Sequence, residues 1–68
     1  MDTSSRLTRT EEDLCRWITE AYSDHQIAQQ MHISYSTVRF HLGNLFRKYN
    51  VNSRMQLLAA LLRKLPNN

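Results

Sequence analysis

The chain reads as an all-α, four-helix helix-turn-helix domain, and three observations lead there. Four helix starts are marked by caps, the apolar residues recur at helical spacing, and no segment alternates as a strand would. Thr8-Arg9-Thr10-Glu11, Ser23-Asp24-His25-Gln26 and Ser53-Arg54-Met55-Gln56 each place a hydroxyl three residues before Glu or Gln. That is the capping-box spacing: the hydroxyl accepts from the third amide while the carboxyl or amide side chain reaches back. Ser34 supplies a fourth cap without the box.

After the first cap, Leu14, Trp17, Ile18, Ala21 and Tyr22 form one stripe, predicted to be the buried face of the first helix. Ile27, Ala28 and Met31 do the same for the second. A tight turn at His32-Ile33-Ser34 separates it from a longer third helix over residues 34–49. There Val38, Leu42, Leu45 and Tyr49 share the inner stripe. Ser36, Phe40, Gly43 and Arg47 lie opposite, flanked by Arg39 and Asn44. Leu57, Leu58, Leu61 and Leu65 line the fourth helix, which Pro66 stops. The second and third helices must cross steeply over so short a turn, with the first packed behind and the fourth closing the bundle. Residues 1–6 are expected to form a flexible N-terminal segment, 7–65 the domain, and 66–68 a flexible tail.

Sixty-eight residues make one domain with a thin core, burying roughly 60% of the unfolded surface. Cys15 is the single cysteine, so no internal disulfide forms; its place in the apolar pattern reads as a small buried hydrophobe. No apolar run approaches the roughly 20 residues of a membrane span, and no secretory leader is visible. A cytoplasmic protein without membrane contact is expected. His25, His32 and His41 lack the paired spacing of zinc ligands. Neither a nucleophile elbow nor a phosphate loop is present. The expectation is a non-enzyme with neither metal nor cofactor.

Charge divides the chain. Residues 1–38 hold three arginines against six acids, a balance of −3, while residues 39–68 hold six basic residues and no acid, +6. A one-signed half suits a polyanion, and an aromatic and a glycine among arginines suit a surface that touches something. The major groove of double-stranded DNA is wide enough for such a helix.

Leu7-Thr8, Glu11, Ile27-Ala28, Ile33-Ser34, Thr37-Val38, His41, Asn44, Lys48, Val51 and Arg54 together resemble the LuxR/GerE-type DNA-binding domain. The resemblance runs from about Leu7 to Leu58 without an insertion. It implies a four-helix transcription regulator domain that binds DNA, generally as a dimer through the fourth helix. The family usually carries Pro and Arg where this chain has Arg9 and Thr10, and Gly where it has Ala21. If Ala21 takes a left-handed backbone it costs about 1 kcal/mol that Gly avoids; otherwise the first helix ends differently. Family members often carry a long or basic residue at the position of Gly43; without that reach, sequence preference at the neighbouring base pairs is expected to be weak, or supplied by Phe40 and Asn44.

Arg39 and Phe40, at groove-facing positions of the resemblance, are expected to contact bases together with Gly43 and Asn44. Arg39 can bond guanine O6 and N7, and Phe40 can cover a thymine methyl. Ser34, Tyr35, Ser36 and Thr37, at the start of the third helix, are expected to meet phosphates with Arg47, Lys48 and Arg54. Met55, Ala59 and Leu62 form an apolar strip beside the core face of the fourth helix, expected as the seam of a weak homodimer. The same features also fit a protein-interaction module that grips another regulator or RNA polymerase, as an anti-activator would.

Overall fold

The computed structural model describes residues 6–64, with the backbone alone at Lys64. Helices α1 (Arg9–Thr19), α2 (Asp24–Met31), α3 (Tyr35–Tyr49) and α4 (Arg54–Lys64) follow in order, with no strand among the described residues. Leu65 and Pro66, expected in the core stripe and as the stop of α4, lie outside them.

Each predicted cap forms. The Glu11 amide donates to Thr8 Oγ1 at 3.1 Å and the Thr8 amide to Glu11 Oε1 at 2.9 Å. Ser23 and Gln26 repeat the exchange at 2.8 and 3.1 Å. Ser34 Oγ accepts from the Thr37 amide at 3.1 Å. The third box is altered. Ser53 Oγ accepts from the Gln56 amide at 3.2 Å, but Gln56 Oε1 takes the Asn52 amide, one residue before the cap, at 2.7 Å.

The ends of α1, α2 and α3 share one device. Ala21, His32 and Asn50 have φ of 69°, 58° and 56°, the left-handed region. Past each, the next amide donates back to the carbonyl five residues earlier: Tyr22 to Trp17, Ile33 to Ala28, Val51 to Phe46, all at 2.9–3.0 Å. These are Schellman ends, which turn the chain sharply and satisfy otherwise orphaned carbonyls. At the end of α1 the apolar contact that often accompanies this motif is present as well, with the Trp17 and Tyr22 rings 4.8 Å apart. Glycine occupies none of the three left-handed positions. Ala21 therefore leaves the predicted stripe: it is exposed and lies beyond α1.

The core is built around α3, which packs against each of the other helices. Val38, Leu42 and Leu45 are buried there with Leu14 and Ile18 from α1, Ile27 from α2 and Leu57 from α4. Ala60 is buried where the stripe singled out Leu58, which is half-buried. Cys15 is half-buried at the core's edge, less enclosed than expected. Burial and the neighbouring Glu11 and Glu12 push its thiol up to about 11, so it stays protonated and poorly nucleophilic near neutrality.

One ion pair fastens α1 to α3. Lys48 Nζ donates to Glu11 Oε1 at 2.7 Å and to the Arg6 carbonyl at 2.8 Å. Burial of Glu11 opposes its charge. The Lys48 hydrogen bond, the Thr8 amide and the Lys48 charge outweigh that and hold the carboxyl below its ordinary 4.5.

Two outcomes follow from these features. Ala21→Gly should stabilise the domain by about 1 kcal/mol, raising Tm by about 4 °C in a thermal melt. Lys48→Met should destabilise it by about 2 kcal/mol in a denaturant titration, because Glu11 is left buried without its partner. A depressed folded pKa adds stability above the ordinary value, so the Glu11 contribution is complete above pH 4.5. It disappears as pH falls through the folded pKa, and Lys48→Met should flatten that acid limb.

Candidate nucleic-acid interface

Locking Val38, Leu42 and Leu45 inward fixes which residues of α3 face out. Ser36, Arg39, Phe40 and Arg47 are exposed; Gly43 and Asn44 are half-exposed between them. Phe40 is 65% exposed, a large apolar side chain left in water. Among the described residues its one ring contact is with His41, centroids 5.4 Å apart and planes 70° from parallel. His41 itself is half-buried at the margin of the core stripe.

Gly43 is conspicuous for what does not require it. Its φ is ordinary for a helix, and the space a Cβ would occupy is open. A mid-helix glycine is about 0.5–1 kcal/mol worse than alanine, so the fold gains nothing from it. It leaves a bare patch of backbone beside Phe40, open to close approach.

The start of α3 gathers hydroxyls. Ser34 Oγ lies 3.1 Å from Ser36 Oγ and 2.8 Å from Thr37 Oγ1 while capping the helix. Tyr35 stacks on His25 of α2, ring centroids 4.1 Å apart and planes 11° from parallel. No acidic residue occupies this first turn, and Arg47 and Lys48 sit in the last. The first placement leaves the positive helix end uncompensated by acidic side chains and open to an anion, while the second offsets the negative end.

The cations are less free than the sequence implied. Lys48, expected from the sequence at a phosphate, gives its ammonium to Glu11 and its side chain is largely buried. Arg54, expected there too, donates through Nε to Asp24 Oδ1 at 3.0 Å and through Nη2 to the Tyr22 carbonyl at 2.5 Å. Arg39 Nη1 donates to Asp24 Oδ2 at 3.2 Å, and Arg47 Nη2 donates to Asn44 Oδ1. Sequence reasoning passed over Asp24 because its partners lie 15 and 30 residues away. No local spacing announces such a link. On α4, Met55 and Leu62 are 76% and 51% exposed and Ala59 is also exposed, so the strip is a surface and not a widened core face.

Among the described residues, no group of three His, Cys, Asp or Glu side chains could hold a metal ion. None of the helices there is long and apolar enough to cross a membrane.

Two capped helices joined by a three-residue turn, with the second presenting a mixed polar and aromatic face, define a helix-turn-helix domain. Residues 5–61 match the family described as "Bacterial regulatory proteins, luxR family", and the chain belongs to that family. It is similar to the transcriptional regulatory protein DegU of Brevibacillus brevis, 40% identical over 74% of this chain and 21% of that one. It is also similar to the nitrate/nitrite response regulator protein NarP of Escherichia coli, 43% identical over 79% of this chain and 25% of the relative. The monoamine regulon transcriptional regulator of Klebsiella aerogenes is 38% identical, over 85% and 26%. The chain thus spans about a quarter of the length of these relatives.

Since nothing in the fold uses the bare α3 backbone, Gly43→Ala should stabilise the free domain by about 0.5–1 kcal/mol in a denaturant titration. Unchanged or reduced stability would mean the glycine serves packing after all.

Proposed function

We propose that this chain is the DNA-binding unit of a transcription regulator, reading duplex DNA with the exposed face of α3 in the major groove. The observation that carries this is the Phe40–Gly43 surface: an exposed aromatic and a needless glycine among polar and basic residues of a helix otherwise fixed by its core. Membership of a family of bacterial regulatory proteins supports it.

In this reading Arg39 bonds a guanine edge, Phe40 covers a thymine methyl, and Gly43 lets the helix backbone come close. Asn44 reaches a neighbouring base or holds Arg47 toward the backbone. Ser34, Tyr35, Ser36 and Thr37 grip phosphates through hydroxyls and free amides at the helix start. Arg47 adds charge. Lys48 and Arg54 serve the fold first, through Glu11 and Asp24, and give little to phosphate neutralisation. With so few free cations, one domain binds DNA weakly. A twofold pair joined through Met55, Ala59 and Leu62 would double the contacts and set two copies of α3 about 34 Å apart.

Selection of duplexes from a random pool, followed by sequencing at two salt concentrations, tests the reading. An enriched half-site is expected, with a salt slope near −0.9 per neutralised phosphate and a total of about −2 to −3 per domain. Arg39→Ala should relax preference at one base pair, about 5- to 150-fold in discrimination there. Salt-sensitive binding without enrichment would overturn base reading and leave a backbone binder; no binding at low salt would overturn the DNA reading and favour a protein-gripping role for the same face.

A further inference from the structure

Asp24 is placed oddly for a protein that meets phosphates. It opens α2, and its carboxylate lies against Arg39, the one arginine among the proposed base contacts. A negative charge there weakens attraction to any nearby phosphate. Something must offset that disadvantage.

The hydrogen-bond chain suggests what. Arg54 is anchored to the Tyr22 carbonyl at 2.5 Å and holds Asp24 Oδ1 at 3.0 Å. Asp24 is only 11% exposed and so has little freedom of its own. Its second oxygen, Oδ2, takes Arg39 Nη1 at 3.2 Å. The Arg39 side chain remains 56% exposed, and Asp24 occupies only its Nη1 side. Nε and Nη2 remain, a coplanar two-donor edge that matches O6 and N7 of guanine. An untethered arginine surrenders rotamer entropy when fixed on a base; a tethered one has surrendered part of it already.

We propose that Asp24 is a positioning residue for base recognition: held by Arg54, it fixes the Arg39 guanidinium with its Nε–Nη2 edge presented to the groove. This rests on the DNA reading above. Asp24 thereby lowers affinity for DNA in general and raises preference for the right sequence. A carboxylate whose role was only to tie α2 to α4 would do the first and not the second.

The test uses the full chain, the duplex selected by the wild type, and a scrambled duplex of equal composition. Asp24→Asn keeps an acceptor for Arg54 and removes the charge. The selected duplex should bind less tightly and the scrambled one equally or more tightly, so that their ratio falls about three- to tenfold. In an Arg39→Ala background the same change should alter the ratio by less than about twofold. Equal tightening on both duplexes would overturn the proposal, leaving Asp24 a repulsive charge. An equal loss of ratio in both backgrounds would also overturn it, tracing the effect to helix packing.

The Arg39 Nε–H resonance of the free wild-type chain gives a readout that needs neither DNA nor a variant that folds. Slow, ordered relaxation supports the proposal, and a freely rotating guanidinium overturns it. A wild type that enriches no sequence removes both this inference and the DNA reading. Enrichment with an unchanged Asp24→Asn ratio removes this inference alone.

Discussion

The burial of one stripe of α3 is the constraint on which the rest depends. Val38, Leu42 and Leu45 are buried among residues of all three other helices. Each such side chain contributes about 1.5–3 kcal/mol by leaving water, a large share of the 5–15 kcal/mol typical of a whole domain. Rotating α3 about its axis would expose all three together. Its rotational phase is therefore held, and with it the outward direction of Phe40, Gly43 and Arg47. A surface built on a core-locked helix has its geometry set by the fold, which suits the proposed role in recognition.

The same economy governs the polar parts. A chain of 68 residues has little core to spare, so buried and half-buried charges are assigned partners within the fold. Glu11 both caps α1 and receives Lys48 from α3; Asp24 receives Arg39 from α3 and Arg54 from α4. Five charged residues thus cross-link helices that short turns alone would orient loosely. The basic half carries +6 by composition, yet Arg39, Lys48 and Arg54 within it are already engaged in ion pairs. In the proposed reading, affinity for DNA then comes from paired domains and from the fit of neutral groups, which favours discrimination over indiscriminate binding.

Most of the fold was legible in the sequence. Caps and apolar stripes are local signals, and each of the four helix starts lies where a hydroxyl announced it. The left-handed residue at Ala21 was foreseeable only from its place in the family pattern. Alanine gives no local hint of such a conformation, whereas glycine would. Gln56 reaching past its cap to Asn52 depends on the turn before α4, which capping spacing does not encode. For the surface, helical phase was enough to separate Phe40 and Arg47 from Val38 and Leu42. It could not separate committed from uncommitted cations: Lys48 finds Glu11 across 37 residues, and Arg54 finds Asp24 across 30. Those are tertiary facts, set by how the helices pack.

The claim that the outer face of α3 is the working surface is tested most directly by NMR. Amide resonances would be followed while a selected duplex is titrated into the full chain. The account predicts the largest shifts at Ser34–Thr37, Arg39, Phe40, Gly43 and Arg47. Shifts concentrated on α1, or confined to the Met55–Leu62 strip while α3 stays silent, would contradict it.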